Sequence, residues 1–302
     1  MGLMIDKRKY ELSIIVPVTK MHGRWDNFKK MVEDISNLSI QLIVVHDIGD
    51  DETGCELQMI LKNNTNTKLI EGNYGSAGGA RNVGLELADS EWIGFWDSDD
   101  KPEVKQFLDL MAKIKEEQNL VGYGNFVKIS VIPNKLQKSR NSFNVAGAIN
   151  SLEPVKNPGI WRWIFASEVL KNTRFPNLKL GEDICFLFST LQKVDKITTT
   201  NLVIYKYFVD NPLQSTELWK NDTRIFLVIK FMNENFISNQ KNQKIVFGLL
   251  VNQFYSSLKL DKLHYKAISI KLFISIFSKM NFSEKILCVK LLITIPLKLL
   301  ET

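Results

Sequence analysis

Three aspartates in four positions, Asp97, Asp99 and Asp100 of "FWDSDD", follow directly on an apolar run. Carboxylates this close repel one another unless something positive offsets them. Hard oxygen donors grouped in this way suit Mg2+ or Mn2+, which favour carboxylates together with substrate phosphates. The same residues also suit a polar turn whose last member, Asp100, caps a helix opening at "KPEV". A second acidic point, Asp47, ends "IQLIVVHD", where a carboxylate accepts hydrogen bonds from a base or a ribose. Asp50 and Asp51 just behind it read equally well as helix caps. "GNYGSAGGARNVG" (72–84) enters a helix through glycines, which allows close approach of a ligand and favours phosphate. Arg81 on its first turns has the reach for a phosphate or a base, although a lone Arg is more often a surface residue or an ion-pair partner. Glu182 and Asp183 of "GEDICFLF" stand at a helix start, where the dipole favours anions. The only histidines are His22, His46 and His264, so neither a Ser–His–Asp triad nor a His-built zinc site is expected. A general base falls to a carboxylate.

These residues must be held by alternating strands and helices. "LSIIVPV" (12–18), 40–47, 67–72 and 91–97 read as strands; 24–38, 52–64 and 76–90 read as helices from their apolar spacing. That alternation implies an α/β fold with a mostly parallel central sheet covered on both faces. Such sheets bind ligands at the carboxyl ends of their strands, which places the chemistry at Pro17–Thr19, Asp47–Asp51 and Asp97–Asp100. Farther on, a helix over 101–119 starting through Pro102, a strand over 120–132, a helix over 181–194 and a strand over 201–209 are expected, with a polar loop at 133–157. Beyond Gln214 the pattern is helical, over 217–235, 243–259, 264–280 and 283–300. A boundary near residue 215 divides the chain into a catalytic domain, 1–215, and a helical C-terminal region, 216–302. No internal repeat stands out.

Composition is that of a globular protein, 45% hydrophobic and 24% charged over 302 residues. Thirteen Lys and Arg against five acids give +8 from Leu218 onward, leaving −2 for residues 1–217. A basic tail on a mildly acidic body calls for an anionic partner. Its apolar spacing favours packing or a membrane surface over nucleic acid. Lysines 285, 290 and 298 within the apolar "SEKILCVKLLITIPLKLL" fit either a helix packed on the body or an interfacial helix on anionic lipid. Three separated cysteines form no disulfide or zinc spacing, which fits a reducing compartment. No signal core opens the chain and no stretch spans a bilayer, so the expected location is cytoplasmic; the interfacial reading of the tail would add a peripheral place on the inner face of the membrane.

Six segments in order resemble the family 2 glycosyltransferases of the GT-A fold, over about residues 12–216. They are "SIIVPV", "VVHDIGDDET", "NYGSAGGARNVG", "DSDD", "GEDICFLFSTL" and "YKYFVDNPLQST". The resemblance implies an inverting, metal-dependent transfer from a nucleotide sugar, a UDP-sugar first, to a hydroxyl of a glycan or lipid-linked oligosaccharide in cell-surface polysaccharide synthesis. It implies that Pro17 and Thr19 line the base and Asp47 bonds to it. Arg81 would contact the nucleotide. Asp97 would touch the ribose or share the metal, Asp99 would hold Mn2+ or Mg2+, and Asp100 would help with either. Asp183 would be the base, with Glu182 beside it. Lys206 or Ser215 would close over the diphosphate, and Trp161 and Arg162 would face the acceptor. His46, Ile48 and Thr19 depart from the family pattern around the base pocket. A nucleotidyltransferase shares the parallel sheet and metal aspartates, but "PVTKMHGRW" is a poor version of its basic glycine loop. A non-catalytic relative would lose one of the acids retained here.

Overall fold

The computed structural model describes residues 9–21, 24–49, 51–131, 153–209, 224–239 and 241–299. Strands β1 (Tyr10–Val18), β2 (Ile40–Asp47), β3 (Thr67–Gly72) and β4 (Ser90–Phe95) alternate with helices α1 (Trp25–Ile35), α2 (Asp51–Leu61) and α3 (Ala77–Leu87). A two-residue strand β5 (Lys101–Pro102), α4 (Val104–Glu116) and β6 (Val121–Ser130) follow. Then come α5 (Glu153–Lys156), a 3-10 turn at Ile160–Arg162, β7 (Trp163–Ala166), α6 (Ser167–Leu170), α7 (Glu182–Leu191) and β8 (Thr198–Val209). Four helices close the chain: α8 (Ile225–Glu234), α9 (Gln243–Leu258), α10 (Leu263–Lys279) and α11 (Phe282–Leu299).

The strands form one sheet in the order β3-β2-β1-β4-β7-β6-β8-β5. Pairing is parallel for β1 with β2 and β4, for β2 with β3 and for β6 with β8. It is antiparallel where β7 and β5 join. The sheet is therefore mixed, with its parallel half at the amino-terminal end of the chain. Apolar runs make this half: Ile14, Ile15 and Val16 of β1 and Leu42 to Val45 of β2 are all fully buried, as strands covered on both faces require. Connections leave β1 toward β2 on one side and return to β4 on the other, so the strand order reverses at β1. The crevice at such a reversal is where open α/β sheets take ligands.

Gly84 lets α3 lie close on β1. A Cβ there would stand 2.3 Å from Ile15 Cγ2. Gly84→Ala is expected to cost about 2 kcal/mol, because neither the helix nor a buried strand residue yields easily; urea unfolding measures it.

The chain divides into two compact units. The first is Met1–Phe143, Trp161–Asn172 and Thr198–Asn211, and holds the sheet; the second is Asn144–Ile160, Thr173–Ile197 and Pro212–Thr302. The last stretch of the second unit begins at Pro212, and two earlier stretches, one carrying α7, also belong to it.

Within the second unit α9 is the hub. Ile245, Val246, Phe247, Leu249, Leu250 and Val251 are buried around most of its circumference, and α5, α7, α8, α10 and α11 all pack on it. A capping box fastens the α10–α11 corner: Asn281 N–H donates to Glu284 Oε2 (2.8 Å) and Glu284 N–H to Asn281 Oδ1 (3.0 Å). The buried Glu284 also accepts from Asn239 N–H (2.7 Å) and the Ser238 hydroxyl (3.1 Å), tying this corner to the chain ahead of α9.

The expected loop over 133–157 ends in the short helix α5, and the start of α4 also differs from expectation. The helix expected from Lys101 opens at Val104, with Glu103 in the capping position, because Lys101 and Pro102 pair with Lys206 and Tyr205 of β8. Of the helix expected over 217–235, Ile225–Glu234 is helical; residues 217–223 lie outside the described residues.

The thiols also sort by position. Burial pushes Cys185 well up and Cys288 up to about 12, whereas Cys55 is exposed. Thiolate is the reactive form. A maleimide at neutral pH is expected to label Cys55 alone in the native protein and all three cysteines in urea, as read by intact mass.

Candidate active site

The sheet unit gathers its polar groups at the carboxyl ends of β1, β2 and β4. β4 ends at Phe95; Trp96 N–H still donates to Ile15 O (3.1 Å), and the chain then turns through Asp97–Asp100. The charge problem posed by the three aspartates is met largely from within the protein. Arg81 Nη2, brought up by α3, lies 2.9 Å from Asp97 Oδ1. Arg24, at the capping position of α1, makes a close ion pair with Asp99 Oδ2. Its guanidinium also donates to Met21 O and Lys20 O, and Asn27 holds Asp99 O at 2.8 Å.

Asp100 is the most buried of the three. Its Oδ1 accepts from Phe208 N–H of β8 (2.8 Å), while Oδ2 is sealed from solvent with no hydrogen-bond partner among the described residues. Burial, then the charges of Asp97 and Asp99, push its carboxyl well above the usual range. Burial and Asp97 also raise Asp99, against the pull of Arg24. The expected helix-capping role for Asp100 is corrected here: the cap position is Glu103, and Asp100 faces β8 instead.

Tyr205 backs the turn. Its hydroxyl accepts Asp97 N–H at 3.0 Å, and burial beside Asp100 raises the phenol well above its ordinary value. Trp161 stacks on Tyr205 at 4.5 Å and on Tyr207 at 5.3 Å. Arg162 is fully buried, donates through Nε to Gly124 O at 2.8 Å, and packs against the Tyr123 and Phe126 rings. Both had been expected to face an acceptor. Both are buried, Trp161 as part of the aromatic floor under the aspartate turn and Arg162 in the sheet's covering layer, because aromatic rings on β6 and β8 offer them more contact than solvent does.

At the neighbouring strand ends, Pro17 and the exposed Thr19 lie at the end of β1. Asp47 is half-buried; its Oδ1 takes the N–H groups of Tyr74 (2.7 Å) and Gly75 (3.2 Å), which leaves Oδ2 for another partner. Gly75, at φ 73°, lets the loop into α3 turn there, and Ser76 caps that helix through Gly79 N–H. Beside Asp47, His46 is buried with Nδ1 3.1 Å from Glu71 Oε1. Lys206 lies on β8 and makes a close ion pair with Glu103. Ser215 lies outside the described residues.

Glu182 and Asp183 belong to the second unit, in the first turn of α7. Gly181 takes up φ 74° at the cap, and Asp183 Oδ1 accepts Ile184 N–H at 2.7 Å. Phe175 stacks on Phe186 at 4.0 Å and holds the helix from the other side.

Among the described residues, no group of three His, Cys, Asp or Glu is already gathered as a metal cage. The donor set nevertheless fits a divalent cation: three hard carboxylates within one turn, one of them with an orphaned buried oxygen. Arg24 and Tyr205 escaped the sequence reading. Arg24 looks like an ordinary helix-opening residue, and Tyr205 like a strand aromatic; only the fold brings them to the turn. A cavity of about 730 Å³ lined in part by Tyr10, Glu11, Trp92 and Lys115 lies at the amino ends of the strands, away from this site.

Over 305 residues the chain is 25% identical to the GalNAc(5)-diNAcBac-PP-undecaprenol beta-1,3-glucosyltransferase of Campylobacter jejuni, covering 96% of each protein. It spans only 63% and 30% of the length of the first curated relatives it matches, from Bacillus subtilis and two Rickettsia species. In fold it is similar to S. aureus TarS 1-349, with a TM-score of 0.64 at 20% identity over 88% of this chain and 80% of that one; TarS has also been crystallised with UDP-GlcNAc. It is similar as well to the Pyrobaculum calidifontis mannosyltransferase PcManGT in complex with GDP-Man and Mn2+, with a TM-score of 0.58 at 11% identity over 94% of this chain and 80% of that one. Residues 13–191 match the model of glycosyl transferase family 2, and the chain belongs to that family.

Proposed function

We propose that the protein is an inverting glycosyltransferase that moves a hexosyl or N-acetylhexosaminyl group from a UDP-sugar to a hydroxyl of a glycan or lipid-linked oligosaccharide in cell-surface polysaccharide synthesis. The observation that carries the reading is the gathering of Asp47, Arg81 and the Asp97–Asp100 turn at the carboxyl ends of adjacent parallel strands. Pro17 and Thr19 line the base, and Asp47 bonds to it through its remaining oxygen. Arg81 keeps Asp97 aligned toward the ribose. Asp99, with Asp97 and the buried, unpartnered Oδ2 of Asp100, would hold Mn2+ or Mg2+, and Arg24 would release Asp99 as it does so. When bound, that ion neutralises negative charge on the leaving diphosphate. Lys206 or Ser215 would close over the same diphosphate.

Asp183 accepts the proton of the acceptor hydroxyl. That oxygen then bonds to the anomeric carbon as the bond from carbon to the diphosphate breaks, with inversion. Glu182 shares the helix start, which favours negative charge beside the acceptor. No covalent nucleophile is used, in keeping with the shortage of histidine. We place the protein on the cytoplasmic face of the membrane, where lipid-linked acceptors are extended; among the described residues no helix is long and apolar enough to cross it.

A panel of nucleotide sugars, assayed with Mn2+ for nucleotide release and for product on a lipid-linked acceptor, tests the reading. Turnover of a UDP-sugar that EDTA abolishes supports it. Absence of binding and turnover for every sugar nucleotide would sink it.

A further inference from the structure

α10 and α11 carry the same surface pattern twice, nineteen residues apart. The absence of a repeat expected from the sequence is corrected for these two helices. On α10, Leu263, Ala267, Ile270 and Ile274 are exposed; on α11, the equivalent Phe282, Ile286, Val289 and Ile293 are exposed. The match extends to degree: Leu263 and Phe282 are each 79% exposed, and Ile274 and Ile293 each 61%. Spacings of four, three and four residues put each set in a single stripe about 16 Å long.

Lysines repeat as well. Lys266 and Lys271 on α10 have their equivalents in Lys285 and Lys290 on α11. At ~100° per residue they stand roughly 70° to either side of each stripe. No Asp or Glu occurs on α10, and the one on α11, Glu284, is buried in the corner. The faces opposite the stripes, with Phe273 and Ile276 on α10 and Cys288, Leu291 and Ile295 on α11, are buried in the helical unit. Both stripes are therefore left over after the unit has packed its core.

We infer that α10 and α11 together form a docking surface for an anionic lipid bilayer. An apolar stripe lets each helix lie along the headgroup boundary, and lysines on both flanks meet acidic headgroups while their stems remain in apolar contact. Charge decides against a second copy of the chain: stripe on stripe would set eight lysines together with no exposed carboxylate on either helix to answer them. The inference deepens the membrane location proposed above, rests on that reading for its purpose, and gains its evidence from the surface alone.

The test is flotation of the full chain with vesicles of phosphatidylcholine containing 30% phosphatidylglycerol, against phosphatidylcholine alone, with UDP-sugar binding measured on the same samples. The expected result is binding at least tenfold tighter to the anionic vesicles, reduced by high salt. The double substitution Ile274→Ser, Ile293→Ser and, separately, Lys271→Glu, Lys290→Glu should each lower it at least tenfold with melting temperature and UDP-sugar binding unchanged. Equal binding to both vesicle types, or full flotation of the variants, overturns the inference. So does a concentration-dependent dimer that Ile274→Ser, Ile293→Ser abolishes, since the stripes would then belong to a second copy. Flotation without any nucleotide-sugar binding would leave the lipid surface standing and remove the transferase reading; turnover without flotation would do the reverse.

Discussion

Asp183→Asn lowers sugar transfer about 10³-fold, inside the ~10²–10⁴ that a positioned general base contributes. The substitution is close to isosteric, and the amide oxygen still accepts Ile184 N–H, so the start of α7 is expected to hold. What the proposed mechanism loses is the group that takes the acceptor's proton. Affinity for the nucleotide sugar should therefore change by no more than about twofold, because the groups proposed to bind it lie on the sheet unit. Single-turnover product formation and equilibrium binding separate the two effects. Full transfer by the variant would move the base assignment to another residue.

Arg81→Met is expected to cost about 2–3 kcal/mol of stability and most of the nucleotide affinity. The methionine fills the space but leaves Asp97 without its cation, one residue from Asp99 and beside a buried Asp100. Stranding a fully buried partner costs ~3–5 kcal/mol. The lower figure applies because the Asp97 side chain keeps 28% of its exposure. Adding Asp97→Asn should return part of the stability, since the orphaned charge is then gone, and should return none of the nucleotide binding. Urea unfolding of the single and double variants makes the comparison. A loss below about 0.5 kcal/mol would mean the pair behaves as an ordinary surface ion pair.

The parallel half of the sheet was legible because its strands are short apolar runs with helix-spaced segments between them. Residues 40–47 and 67–72 form strands at the expected boundaries. Asp47, Arg81 and the aspartate turn lie on or just beyond these elements, so local pattern placed them too. Tertiary partners were less visible. Lys101 and Pro102 read as a helix start, and only β8, a hundred residues on, turns them into a strand. Trp161 and Arg162 look like surface recognition residues in sequence because a tryptophan and an arginine are common there. Their burial depends on rings from β6 and β8 that no short window contains. Arg24 is the same case with the opposite outcome: an unremarked helix-opening residue supplies the counter-charge that the aspartates needed.

Glu284 has a consequence for how the helical unit meets a surface. By binding backbone N–H groups of both Asn239 and Asn281, it fastens the start of α11 to the chain ahead of α9. On the bilayer proposed for them, two stripes carried by helices that both pack on α9 would arrive together. The first to touch would present the second at a high effective concentration, so two grips that would each let go quickly would be multiplied into a single lasting attachment.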